Sequence, residues 1–153
     1  MKKFVFQLDA LYSIKKTLKD KLQAEYAEAE AILESAVLKK DRMEKTIEEE
    51  SEKFKAKARS GIAVYEIQTN EAFLEDLLKQ HKAAVADTER ARRNAERKRN
   101  ELLGVFQETK ALEKLRDRQY KEFLVQAEKH EMNVVEDILS YNISKENVNR
   151  KAM

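Results

Sequence analysis

Two histidines are the strongest candidates for metal binding or proton transfer in this chain, and their positions favour neither role. His81 and His130 lie 49 residues apart (130 minus 81). His130 and Glu131 are not followed by a histidine four residues on, so the HExxH zinc motif is absent. The glutamates at 48–50 could bind a cation only weakly, because consecutive residues of a helix point in different directions. No phosphate-binding glycine loop is present either, so we predict no catalytic, cofactor-binding or metal-binding residues and no enzyme activity.

A cluster of basic residues is the next candidate for chemistry. Residues 90–99 contain six bases and one glutamate. No aromatic side chains that could stack on bases lie between them, and on a helix they spread around most of the circumference. We therefore expect them to pair with the acidic residues 44–52, which hold five glutamates and one lysine. Docking to an acidic protein partner and binding to nucleic acid are the alternatives.

The composition is typical of long helices with few turns. The 153 residues include no proline, two glycines and no cysteine, and 39% are charged. Turns need glycine and proline, so few turns are expected. Without cysteine there is no disulfide framework and no thiolate zinc site. No window approaches 18 apolar residues, so no membrane-inserted segment is predicted. The fold class is predicted to be all-α and elongated.

The charges are arranged as oppositely charged blocks on either side of a midpoint near residues 72–73. The blocks pair as 2–21 with 122–137, 25–34 with 110–121, and 44–52 with 90–99. An antiparallel helical hairpin would bring these opposite charges together, whereas a parallel dimer would place like charges side by side. The pattern predicts an antiparallel two-helix coiled-coil hairpin that is monomeric, because it satisfies its own apolar seam.

Apolar residues at alternating spacings of three and four give both arms a heptad pattern. In the first arm they are Phe4, Leu8, Leu11, Leu18, Leu22, Ala29, Ile32, Ala36, Met43, Ile47 and Phe54. In the second they are Leu74, Leu77, Ala84, Ala91, Ala95, Leu102, Val105, Leu112, Phe123, Ala127, Val134 and Ile138. A midpoint near 72–73 sets Met43 near Leu102, Leu22 near Phe123 and Phe54 near Ala91, so that apolar residues meet apolar residues.

The predicted organisation is a single domain over 1–153 with two arms, a tip and a tail. The first arm covers 4–58, and the tip, a short helix or link, covers 59–72 because Gly61 is suited to a helix end. The second arm covers 73–141. The polar residues 142–153 lose the periodicity and are predicted to be a disordered tail.

Both ends of the chain resemble the flagellar FliJ family. The N-terminal string KFVFQLDALYSIKK matches the Phe-x-Phe-x-Leu-x-x-Leu opening of that family at Phe4, Phe6, Leu8 and Leu11. Near the other end, ALEKLRDRQYKEFLVQAEKHEMNVVEDIL is similar to the C-terminal signature of the family. The residues that carry this second match are Glu113, Leu115, Arg118, Gln119, Glu131 and Asp137.

The resemblance implies a soluble component of the flagellar type III export apparatus. Members of the family are antiparallel coiled coils similar to the central stalk of rotary ATPases. They bind the hexameric export ATPase and link it to the membrane export gate, and some also handle export chaperones. A place in the cytoplasm, peripherally associated with the cell membrane at the flagellar base, follows from this role.

Two sets of site residues follow from the resemblance. The paired termini would form the end that binds the ATPase, with Phe4, Phe6, Leu8, Leu11, Ile138 and Leu139. The tip would bind the export gate, with Phe73, Leu74, Leu77 and His81. The alternative hypotheses are a generic coiled-coil scaffold without an ATPase partner, and a protein that binds nucleic acid or a membrane surface.

Overall fold

Two long helices joined by a short turn make up the protein. The structure is a computed structural model and describes residues 2–152. Helix α1 is Asp9–Ser60 and helix α2 is Val64–Lys151, and the described residues contain no strand. The helices pack against each other in antiparallel directions, so the predicted all-α hairpin is confirmed. Asp9 opens α1, where its carboxylate interacts favourably with the helix dipole.

The turn is shorter than predicted and lies earlier in the chain. Only residues 61–63 are non-helical between the two helices, where the sequence predicted a tip over 59–72. Gly61 has a φ of 87°, and its N–H donates to the carbonyl of Ala58 at 3.3 Å. The carbonyl of Ala63 accepts hydrogen bonds from the N–H groups of Glu66 and Ile67, which start α2. One left-handed glycine is therefore enough to reverse the chain.

The register of the hairpin differs from the predicted one. Residues in contact across the hairpin lie symmetrically about residue 62, within one residue. The pairs are Phe4 with Tyr120, Tyr12 with Glu113, Lys15 with Glu108, Lys19 with Phe106, Glu25 with Lys98, and Glu44 with His81. The predicted midpoint near 72–73 is wrong, and with it the pairings of Met43 with Leu102, Leu22 with Phe123 and Phe54 with Ala91.

The buried and half-buried residues of α1 include an unbroken heptad seam. The members of this seam are Tyr12, Lys15, Lys19, Leu22, Tyr26, Ala29, Leu33, Ala36, Lys40, Met43, Ile47, Glu50 and Phe54. Leu11 and Ile32 were predicted in the seam but are exposed, because Tyr12 and Leu33 next to them occupy the inward positions. The most buried side chains of α2 are small and include Ala84, Thr88 and Ala95. Such side chains let two helices approach closely.

The charge blocks do not pair across the hairpin as predicted. The basic residues over 90–99 form ion pairs mostly within α2, where Arg90 binds Asp87 and both Arg92 and Arg93 bind Glu89. Lys98 reaches across to Glu25 in the block 25–34, and no described ion pair joins 90–99 to 44–52. Residues three or four apart on one helix are already neighbours, so a block can be neutralised locally.

The C-terminal residues are helical where a disordered tail was predicted. Helix α2 continues through Lys151, and of the predicted tail only Met153 lies outside the described residues. Neither proline nor glycine occurs after Gly104 to stop the helix. Arg150 and Lys151 lie in its last turn, where cations are favourable.

The chain divides into two compact units. One unit joins the chain up to Lys16 to the chain from Gln107 onward, and the other is Thr17–Phe106. Each unit combines a part of α1 with a part of α2. The single domain expected from the sequence stays a prediction.

Candidate partner-binding surfaces

The N-terminal segment before α1 packs against α2 through aromatic rings. The ring of Phe4 lies 5.3 Å from that of Tyr120 in an edge-to-face arrangement, and 5.6 Å from that of Phe123. Phe6 is 6% exposed. These two phenylalanines were predicted to bind a partner, and the structure places their side chains in internal contacts. Edge-to-face aromatic pairs add stability beyond the area they bury, so they hold this segment in place.

Two polar contacts fix the first turns of α1 to α2 in the same unit. The Tyr12 hydroxyl donates to Glu113 Oε1 at 3.0 Å, and Lys15 Nζ lies 2.5 Å from Glu108 Oε2. The hydrogen bond to the Glu113 carboxylate raises the pKa of Tyr12, because it favours the protonated phenol. Leu8 and Leu11, also predicted to bind a partner, are exposed next to these contacts.

Helix α2 extends past the residues that the N-terminal segment covers. Residues 128–151, which we call the C-terminal overhang, are exposed without exception. Its large exposed apolar side chains are Met132, Val134, Val135, Ile138, Leu139, Tyr141, Ile143 and Val148. Ile138 and Leu139 are 54% and 55% exposed, and the structure does not bring them onto Phe4 or Phe6 as the predicted register required.

The four residues predicted at the tip lie on the second helix, beyond its first turns. Leu74, Leu77 and His81 are half-buried at heptad spacing and belong to the seam with α1. His81 Nε2 lies 3.0 Å from Glu44 Oε1, and this hydrogen bond lowers the pKa of Glu44. Phe73 alone among the four is exposed, at 45%. A partner surface at this place therefore centres on Phe73, while its neighbours hold the two helices together.

Sequence reasoning missed the C-terminal overhang. The signal was present, since the last apolar heptad positions lie farther from Gly61 than the first residues of the chain do. Counting outward from the only glycine suited to the turn would have left residues after about 124 without a partner. The charge blocks predicted a midpoint near residues 72–73. With that midpoint the two arms have nearly equal lengths, so no overhang was predicted.

The described residues hold no group of three or more histidine, cysteine or acidic side chains arranged to bind a metal ion. Among them no helix is long and apolar enough to span a membrane. The contacts above are packing contacts and ion pairs, and the exposed apolar surfaces are suited to binding other proteins.

A protein-family model described as "Flagellar FliJ protein" matches residues 3–147 of the chain. The match therefore includes both the N-terminal aromatic segment and most of the C-terminal overhang. Comparison with curated proteins and with solved structures gave no match.

Proposed function

This chain belongs to the flagellar FliJ family and is a component of the flagellar protein export apparatus, and we propose that within this apparatus it binds the hexameric export ATPase as a central stalk. In the same proposal it links the ATPase to the membrane export gate. The protein then acts at the cytoplasmic face of the cell membrane at the flagellar base, with export chaperones as further partners.

The observation that carries the ATPase proposal is the C-terminal overhang. A single helix with large apolar side chains along its length is costly to leave in water and is stabilised by a partner that covers it. The interior of a protein ring is such a partner. Ile138 and Leu139, more than half exposed, are the proposed contacts on this helix.

The N-terminal segment supports the same proposal, but with a different set of contact residues from the one predicted. Phe4 and Phe6 are packed against α2 or buried, so we assign them to holding the segment in place. The exposed Leu8 of this segment and the exposed Leu11 of α1 are then the residues that touch the ATPase. Val5, which is 75% exposed, adds to the same apolar surface.

We assign the export-gate contact to the surface around Phe73. Its ring is 45% exposed. Leu74, Leu77 and His81 contribute indirectly, because their packing in the seam fixes the direction in which Phe73 points. The gate surface and the ATPase surface then lie in different compact units of the chain.

Binding to the purified export ATPase tests the first part of the proposal. The double substitution Ile138→Ala and Leu139→Ala removes two central apolar contacts, and we expect affinity to fall by at least about tenfold. Val85→Ala is a matched control, since Val85 is also an exposed apolar residue of α2 but lies outside both surfaces. Circular dichroism should be the same for all three proteins.

Equal affinity of the double variant and the wild type would contradict the assignment of the overhang to the ATPase. Absence of binding by the wild-type chain would favour the alternative, a coiled-coil scaffold without an ATPase partner.

The gate assignment is tested with Phe73→Ala and Leu77→Ala. Phe73→Ala should reduce flagellar export in motile cells while leaving thermal stability unchanged, since the ring is exposed. Leu77→Ala should lower stability by about 1 kcal/mol, because it removes a half-buried seam residue. If Phe73→Ala cells export normally, the gate contact lies elsewhere.

A further inference from the structure

The sequence predicted a monomer in which the first arm covers the apolar seam of the second. In the structure the C-terminal overhang is not covered by the first arm. That expectation depended on a hairpin satisfying its own seam, and the observed register leaves residues 128–151 outside it. Most of the stability of a helix in a protein comes from packing of its apolar face, which the overhang lacks. The exposed apolar residues of the overhang therefore favour association when no other protein covers them.

The overhang has a seven-residue repeat of its own, which is shifted by one residue from the repeat of Leu74, Leu77 and His81. From Ala127 the alternating steps of four and three lead to Glu131, Val134, Ile138, Tyr141, Lys145 and Val148. If two overhangs lie antiparallel with full overlap, Ile138 of one copy faces Tyr141 of the other. The same overlap places Val134 opposite Lys145 and Glu131 opposite Val148. Every seam position thus meets a seam position, as a two-stranded coiled coil requires.

The charges of the overhang suit this antiparallel arrangement. Residues 128–137 hold four acids and one lysine, whereas residues 145–151 hold three bases and one glutamate. The acidic half of each copy therefore faces the basic half of the other. Within the seam, Glu131 lies one helical turn from the position that faces Lys145 of the other copy, so the two side chains are within reach. A parallel pair would place like charges together.

We propose that two copies of this chain associate through their C-terminal overhangs as an antiparallel two-stranded coiled coil, with Glu131 of each copy paired to Lys145 of the other. The contact is isologous, so it closes as a dimer. Ile138 becomes covered in the dimer, whereas Leu139 lies outside the seam and stays exposed. The dimer is proposed independently of the proposed function. Only the further statement that the dimer and the ATPase complex exclude each other rests on that function.

A charge exchange tests the proposed pairing in the full-length chain. Glu131→Lys and Lys145→Glu each create two like-charge contacts per dimer, so each variant alone should dimerise at least about tenfold more weakly than wild type. A mixture of the two variants restores opposite charges at both contacts. Sedimentation equilibrium should therefore show dimers in wild type and in the mixture, and mainly monomers in either variant alone. Exposed charges are screened by salt, so the difference should shrink at high ionic strength.

Introduced cysteines provide a second measurement, because the chain has none of its own. Ile138→Cys mixed with Tyr141→Cys should form a disulfide-linked heterodimer under mild oxidation. Asn133→Cys, on the polar face of the same helix, should not link to Tyr141→Cys. A wild-type chain that stays monomeric at all concentrations overturns the proposal, as does a mixture of charge variants that dimerises no better than either variant alone. ATPase binding by such a monomer would leave the proposed function intact. A chain that dimerises, yet does not bind the ATPase at concentrations low enough to keep it monomeric, would remove only that function.

Discussion

The ion pair of Glu25 with Lys98 joins the two helices and makes the stability of the hairpin depend on pH. Lys98 Nζ lies 2.9 Å from Glu25 Oε2, and this hydrogen bond is the largest cause of the lowered pKa of Glu25. A carboxylate whose folded pKa is lowered stabilises the folded state at pH values above its ordinary pKa of 4.5. That contribution is lost as the pH falls through the lower folded value.

Glu25→Gln should therefore lower the melting temperature at pH 7, and the difference from wild type should close as the pH falls below 4.5. Glu52→Gln is the matched comparison, because Glu52 pairs with Lys55 of the same helix at 3.4 Å. Its effect should be smaller, as for other exposed pairs within one helix. A constant difference between Glu25→Gln and wild type from pH 7 to pH 3 would mean that the ion pair is not the cause.

The two glycines predict opposite effects of the same substitution. Gly61 has a φ of 87°, which an alanine adopts at a cost of about 1–2 kcal/mol. Gly104 lies inside α2, where alanine is favoured by about 1 kcal/mol. A Cβ atom at either position meets no heavy atom within 4 Å, so packing does not interfere. Chemical denaturation should show Gly61→Ala less stable and Gly104→Ala more stable than wild type, and a stabilising Gly61→Ala would contradict the turn described above.

At the scale of the helices, the sequence was sufficient for the fold class and insufficient for the register. Few turn residues and heptad spacing indicated two long helices. Both arms repeat every seven residues, however, so apolar residues meet in any register that differs by a multiple of seven. The partner of Met43 moves from the predicted Leu102 to residue 81, a difference of 21 (102 minus 81), which is three heptads. The match of apolar residues across the hairpin therefore could not distinguish the predicted register from the observed one. The position of Gly61 in the turn distinguishes them.

The candidate surfaces were predicted only in part for the same reason. Ile138 and Leu139 were chosen as exposed contacts, and they are exposed, but their expected pairing with the N-terminal segment depended on the wrong register. Leu74 and Leu77 were placed at a tip that the structure puts at 61–63. Which side of a helix faces its partner follows from periodicity, whereas which residue it faces depends on where the chain turns.

Paired cysteines distinguish the two registers directly. Met43→Cys combined with His81→Cys should form a disulfide within one chain, since both positions lie in the seam and are symmetric about residue 62. Met43→Cys combined with Leu102→Cys tests the register centred near residues 72–73 and should not form one. Non-reducing electrophoresis at low protein concentration reports both results. Rapid linkage of the second pair alone would contradict the observed register.

At the scale of the whole molecule, two exposed apolar surfaces in different units are assigned to two different partners. The overhang around Leu139 is assigned to the export ATPase, and the surface around Phe73 to the export gate. The proposed division gives a role to large apolar side chains that the fold of this flagellar export component does not cover.

Photo-crosslinking in motile cells tests this division most directly, with benzoylphenylalanine introduced in place of Leu139 in one strain and of Phe73 in another. Both side chains are exposed, so the probe should not disturb the fold. The probe at 139 should capture the export ATPase and the probe at 73 the export gate protein. Capture of the ATPase from position 73 and not from position 139 would contradict the assignment of the two surfaces.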